Sequence, residues 1–200
     1  MAVVITEIIP QQGFEIVLNK LGAILFEEIT NQVTIQSFTD EVEVYVERMY
    51  PYDKSEDVLI NVSLNSIDFQ GQTQGGTQGN VTYYVDVYCR GEETNASTGS
   101  EASKMKINRY LGIIRYILCS TKYKQLGFTS PLVGRVSVNN LQQDPNSGRM
   151  DAAYLKFGRI TVNVAVNEAQ DLWDGIPLMG NDTMVNLENT NKGFKLTFNN

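Results

Sequence analysis

Residues 41–47 read Glu41-Val42-Glu43-Val44-Tyr45-Val46-Glu47. Valine fills every second position, and acidic or polar residues fill the gaps. Successive side chains of a β-strand leave opposite faces, so this period of two predicts a half-buried strand. Val42, Val44 and Val46 must then pack under a second layer. Glu41, Glu43 and Glu47, with Tyr45 among them, project from the other side. Outward from this stretch the pattern recurs. Leu59–Phe69 sets Ile60, Val62 and Leu64 on one face, and Val81–Cys89 sets Val81, Tyr83, Val85, Val87 and Cys89 together. Leu132–Leu141 and Ala153–Val166 predict two further strands. In the second of these, Ile160, Val162, Val164 and Val166 alternate with Thr161, Asn163 and Ala165.

Two stretches change to a helical period. Phe14, Val17, Leu18, Leu21, Ile24, Leu25 and Ile29 recur every three or four residues and share one face. Gly22 interrupts that helix and predicts the close approach of a neighbour. A longer helix starts with Ser100 as N-cap and Glu101 in its first turn. Ile107, Leu111, Ile114 and Leu118 line its apolar face, widened by Tyr110, Ile113 and Ile117. Gly127 ends it, and Pro131 prevents its resumption.

Strands joined by short turns favour an antiparallel sheet, so the expected class is α+β. The sheet is mainly antiparallel, and both amphipathic helices cover one face. One domain spans 1–168, with residues 1–10 as an extended N-terminal arm closed by Pro10. Residues 169–200 form a C-terminal extension containing Trp173 and the alternating run Phe194, Leu196 and Phe198. Gly71-Gln72-Thr73-Gln74-Gly75-Gly76-Thr77-Gln78-Gly79 has no apolar residue and predicts a mobile hairpin loop.

Composition narrows the chemistry. The chain has 200 residues, a net charge of −7 and no histidine. That charge opposes a grip on nucleic acid, which needs clustered Lys and Arg to displace counterions. The lack of histidine removes the commonest general base and metal ligand, and with them every Ser–His or Cys–His pairing. Cys89 and Cys119 read as buried reduced thiols. The glycine-rich stretch lacks the Gly-Lys-Ser/Thr ending of a phosphate loop, and no helix follows it. Glu41, Glu43 and Glu47 read as a solvated face rather than an acid–base pair, since a general acid needs a perturbed carboxyl. Asp53, Glu56 and Asp57 lack calcium-loop spacing and read as a polar turn. No apolar run is long enough to span a membrane. The N-terminal residues lack the pattern of a signal peptide, so a reduced, cytoplasmic product is expected. On the long helix Lys104, Arg115 and Lys122 fall nearly in line. They make either a solvated face or a contact with an acidic surface, on this chain's own sheet or on another copy.

This element order resembles the tail terminator (tail-completion, minor tail protein U-like) family of tailed bacteriophages. The likeness is carried by Phe14–Ile29, Val42–Val46, Val81–Arg90, Ala102-Ser103-Lys104-Met105-Lys106-Ile107-Asn108-Arg109-Tyr110-Leu111-Gly112-Ile113-Ile114 and Gly158-Arg159-Ile160-Thr161-Val162-Asn163-Val164. It covers most of residues 10–168 and is one of element order, not of a diagnostic motif. The resemblance implies a structural virion protein: a ring, commonly a hexamer, that caps the tail tube and receives the head. Its partners would be other copies of itself, the tail tube protein and neck or connector proteins. DNA would pass through without specific binding, and no catalytic, metal or cofactor site would be needed. The protein would assemble in the host cytoplasm and reside in the virion. On that reading Glu41, Glu43 and Glu47 face the channel, and like-charge repulsion keeps DNA from sticking. Lys104, Arg115, Lys122, Gly75, Gly76 and Trp173 would meet neighbouring subunits or partners. The alternatives are another neck or head–tail joining protein, a non-catalytic small-ligand-binding α+β domain, and an enzyme using only Asp, Glu, Lys or Tyr.

Overall fold

Strands with alternate apolar residues need cover on one face, and two helices supply it here on one face only. The computed structural model describes residues 8–49, 57–73, 76–93, 98–128, 132–143, 149–150, 153–168, 181–186 and 193–198. In chain order these form α1 (Gly13–Ile35), β1 (Val42–Val46), β2 (Val58–Thr73), β3 (Gly76–Gly91), α2 (Gly99–Cys119) and a 3-10 turn at Thr121–Tyr123. Then follow β4 (Val133–Gln143), β5 (Arg149–Met150), β6 (Ala153–Glu168), β7 (Asn181–Asn186) and β8 (Gly193–Phe198). The main sheet has the order β1-β2-β3-β6-β4, and β5 pairs with β6. Every pair in it is antiparallel except β1 with β2. The fold is α+β, as the periodicity predicts. β7 and β8 pair only with each other, so the alternating run at Phe194 is a strand.

Register explains where the core lies. Val58, Ile60 and Val62 of β2 stand beside Cys89, Val87 and Val85 of β3, and Val81, Tyr83 and Val85 stand beside Val164, Val162 and Ile160 of β6. These residues are fully buried. Val17, Leu21, Leu25 and Ile29 of α1 and Ile107, Tyr110, Leu111 and Ile114 of α2 close over them. α1 lies against β1 and β2, and α2 against β3, β6 and β4. A Cβ on Gly22 would stand 2.3 Å from Val46 Cγ2, so this glycine lets α1 settle onto β1. At the start of α1, the buried Glu168 carboxylate at the end of β6 accepts from Gly13 N at 2.6 Å and Phe14 N at 2.7 Å. A carboxylate suits the partial positive charge of a helix N-terminus. The bond also ties the last residue of β6 to the first turn of the domain.

Several expectations need correction. β1 runs parallel to β2, so the first three strands are not a meander, and only β2 and β3 form a hairpin. The parallel register still sets Val42, Val44 and Val46 beside Val58, Ile60 and Val62, which keeps the apolar faces together. The glycine-rich stretch is not a nine-residue loop. Pairing continues through Phe69 with Gly79 and Gln70 with Gln78 as far as Thr73 with Gly76. Backbone hydrogen bonds sustain a hairpin where no apolar side chain could. Gly76 is therefore a strand residue, while Gly75 lies outside the described residues. The N-cap of α2 is Thr98, in a reciprocal capping box with Glu101, and Ser100 lies within the helix. α2 stops at Cys119, and Gly127, with φ 74°, closes a later turn. Cys119 is exposed and only Cys89 is buried, both as free thiols. Trp173 and the start of the arm, residues 1–7, also lie outside the described residues. Ile8 and Ile9 are exposed and belong to no strand.

Candidate functional site

The sheet has a second face without a helix layer. Because side chains alternate, the partners of the buried valines fix its composition. It carries Ser66 and Asp68 of β2, Asn80, Thr82, Tyr84 and Asp86 of β3, Ser137 of β4, and Arg159, Thr161 and Asn163 of β6. A shallow groove of about 470 Å³ crosses it, lined among others by Ser66, Asp68, Asn80, Thr82, Arg135 and Asn163. Next along the face, Asp86 receives a two-pronged bond from Arg159, Nε to Oδ1 at 2.6 Å and Nη2 to Oδ2 at 2.8 Å. The guanidinium also lies 4.0 Å above the Tyr84 ring, and Tyr88 and Phe157 pack at 4.9 Å between centroids. Asp86 holds the Arg159 guanidinium above its ordinary pKa, while burial, with Asp86 nearby, pushes the Tyr88 phenol up to about 12.

The predicted acidic stripe divides on this face. Glu43 lies opposite Leu59 in the register, on the helix-free side, and accepts from the Tyr45 hydroxyl. Glu41 precedes the strand and is exposed. Glu47 does not join them. β1 ends at Val46, and Glu47 takes a left-handed backbone with φ 56°. Its own N–H donates to Val62 O, and its carboxylate accepts from Leu64 N at 2.6 Å. Glu47 therefore occupies the edge of β2 where β1 stops. Among the described residues the helix-free face mixes Glu43, Asp68 and Asp86 with Arg135 and Arg159.

The basic stripe is also broken. Lys104 and Arg115 are exposed on α2. Lys122 lies beyond the helix in the 3-10 turn, where its ammonium meets Glu28 of α1 at 2.5 Å. The Tyr123 hydroxyl donates to the same carboxylate. The Lys122 bond, then the Tyr123 bond, hold the Glu28 carboxyl below its ordinary pKa. Lys122 thus ties α1 to the turn that follows α2. Between them runs a groove of about 570 Å³, bordered by Gln32, Gln36, Asn108, Arg109, Gly112 and Tyr116 among others.

One polar cluster escaped the sequence reading. Lys106 of α2 stands 2.9 Å from Asp40 and 2.6 Å from Asp57, and the Tyr110 hydroxyl donates to Asp40 at 2.9 Å. Burial pulls the Lys106 ammonium down, but its bonds to Asp57 and Asp40 outweigh that and leave its pKa raised. Burial, and then the bond to Asp40, push the Tyr110 phenol up, and burial also pushes the Cys89 thiol up. The thiol therefore stays protonated at neutral pH, unlike a nucleophilic cysteine. The cluster clamps the α1–β1 connection and the start of β2 onto α2. No local motif marks it, because its members are far apart in sequence. Asp57 thus belongs to this clamp, while Asp53 and Glu56 lie outside the described residues. Among the described residues no group of three His, Cys, Asp or Glu could hold a metal ion, and no helix is long and apolar enough to cross a membrane. No protein-family model matches the chain, and no curated protein matches it in sequence.

Proposed function

We propose that this chain is a ring-forming structural protein at the head-proximal end of a phage tail, a tail terminator that joins tail to head around the DNA path. The observation that carries the reading is the one-sided sheet. Helices cover one face. The other carries no helix and is polar around Ser66, Asp68, Asn80 and Thr82, while Leu59, Asn61 and Asp86 toward its β1 end are buried. Two unlike edges, β1 and β4, stand at opposite ends. A contact between unlike patches is heterologous, and successive copies related by one rotation close into a ring. Among the described residues β4 has no partner strand on its outer side, and such a backbone edge can pair with a neighbour. With the helices outside, the helix-free face would border the lumen. Its Ser, Thr and Asn residues and its paired Asp86–Arg159 give DNA no clustered cations to bind. Glu43 adds negative charge at the β1 end, while Glu47 stays occupied at the strand edge. On this reading no substrate is turned over and no cofactor is held. The partners are other copies, six in all by the resemblance, the tail tube protein and the neck proteins. Native mass measurement of the full chain, alone and with purified tail tubes, tests this. A closed species of defined copy number supports it, and a lone subunit under both conditions overturns it.

A further inference from the structure

Two unexplained surfaces stand on different parts of the molecule. The first is the end of the N-terminal arm, where Ile8 is 91% and Ile9 66% exposed. The sequence before them, Ala2-Val3-Val4-Ile5, is also apolar. Exposed contiguous apolar surface of this kind marks a contact. The second is the groove between α1 and α2. Its floor includes Gly112, in the middle of α2, where an added Cβ would meet nothing within 4 Å. A mid-helix glycine weakens a helix relative to alanine, and no packing among the described residues requires it. A glycine in such a place admits the close approach of another backbone. Beside it Tyr116 is 80% exposed, an aromatic ring left in solvent.

We propose that the α1–α2 groove receives the N-terminal arm of a second copy of this chain, with Ile8 and Ile9 seated over Gly112 and against Tyr116. The groove's chemistry suits an extended apolar strand. Gln32 and Asn108 flank it with side-chain amides, whose N–H groups can donate to the carbonyls of a passing backbone. Reach excludes this chain's own Ile8 and Ile9 from the groove. The five peptide units from Ile8 to Gly13 span at most about 18 Å. Glu28, the groove residue of α1 nearest to Gly13, lies fifteen residues along the helix, or about 22 Å. Gln32 is farther still. Ile8 and Ile9 seated in this groove therefore come from another copy, and the contact is heterologous. It rests on the ring reading above and names a surface by which that ring would close.

The test uses full-length protein in a Cys119→Ser background. Copies carrying Ile8→Cys are mixed with copies carrying Gly112→Cys and treated with a short bis-maleimide, while ring size is followed separately by native mass. The expected result is a covalent dimer joining the two kinds of copy. A second variant, Gly112→Leu, fills the notch. It should melt no lower than the parent, yet associate at least tenfold more weakly. Closed rings without the covalent dimer, or unweakened association of Gly112→Leu, overturn the arm contact and leave the ring reading standing. Covalent dimers without closed rings overturn the ring reading alone. Neither product overturns both.

Discussion

Replacing Glu168 removes the group that fastens the first turn of α1 to the end of β6. Its carboxylate accepts from Gly13 N at 2.6 Å and from Phe14 N at 2.7 Å, and the residue is 4% exposed. A hydrogen bond to a charged group contributes about 1.5–3 kcal/mol. Two such bonds give roughly 3–6 kcal/mol, reduced where water enters the vacated space and reaches the freed N–H groups. Glu168→Ala should therefore destabilise the domain by about 3 kcal/mol. Glu168→Gln keeps one acceptor oxygen but loses the charge that the helix N-terminus favours, so about 1.5 kcal/mol is expected. Tyr83 donates to Phe14 O at 2.8 Å and should keep α1 docked in both variants. Urea unfolding gives the stabilities, and hydrogen exchange at the amides of Gly13 and Phe14 shows whether the loss is local. A Glu168→Ala chain within about 0.5 kcal/mol of the parent, the range of ordinary surface changes, would refute this role.

Gly22→Ala drives a methyl to within 2.3 Å of Val46 Cγ2, so denaturant melts should show about 1–3 kcal/mol lost to overpacking, and Val46→Ala in the same chain should recover much of it. Leu111→Ala should lose about 2–5 kcal/mol by opening a cavity in the fully covered core, whereas Arg115→Glu on the exposed side of α2 should stay within about 0.5 kcal/mol. Glu28 titrates below its ordinary value when folded, so its contribution is present above the unfolded carboxylate pKa and lost as pH falls through the depressed one. Urea midpoints followed down into acid should therefore fall less steeply for Glu28→Gln than for the parent.

Much of the fold was legible because burial imposes a period. The valines of 81–87 and 162–166 and the apolar face of α1 lie where their spacing puts them, Val42 and Val44 are half-buried against the core, Val46 at the end of β1 stays exposed, and Gly22 admits a neighbour as its position suggests. Strand direction was not legible. A period of two is the same for parallel and antiparallel pairing, so β1 gave no sign that it runs parallel to β2. The glycine-rich hairpin misled because composition reports side-chain packing, whereas backbone pairing carries β2 and β3 to Thr73 and Gly76. Glu47 misled for a related reason: alternation holds only while the backbone stays extended, and its φ of 56° ends that. Lys122 falls out of line with Lys104 and Arg115 because α2 stops at Cys119. The fastenings that matter most, Glu168 to Gly13 and Lys106 to Asp40 and Asp57, join residues too distant in sequence to form any motif.

The most direct measurement of the ring proposal is averaged electron cryomicroscopy of purified tails incubated with the full-length chain. The proposal predicts a closed ring of copies at the head-proximal end of each tail, with α1 and α2 outside and the helix-free sheet face, including Glu43, toward the lumen. Tails without added density at that end, or a ring with its helices turned inward, would contradict it.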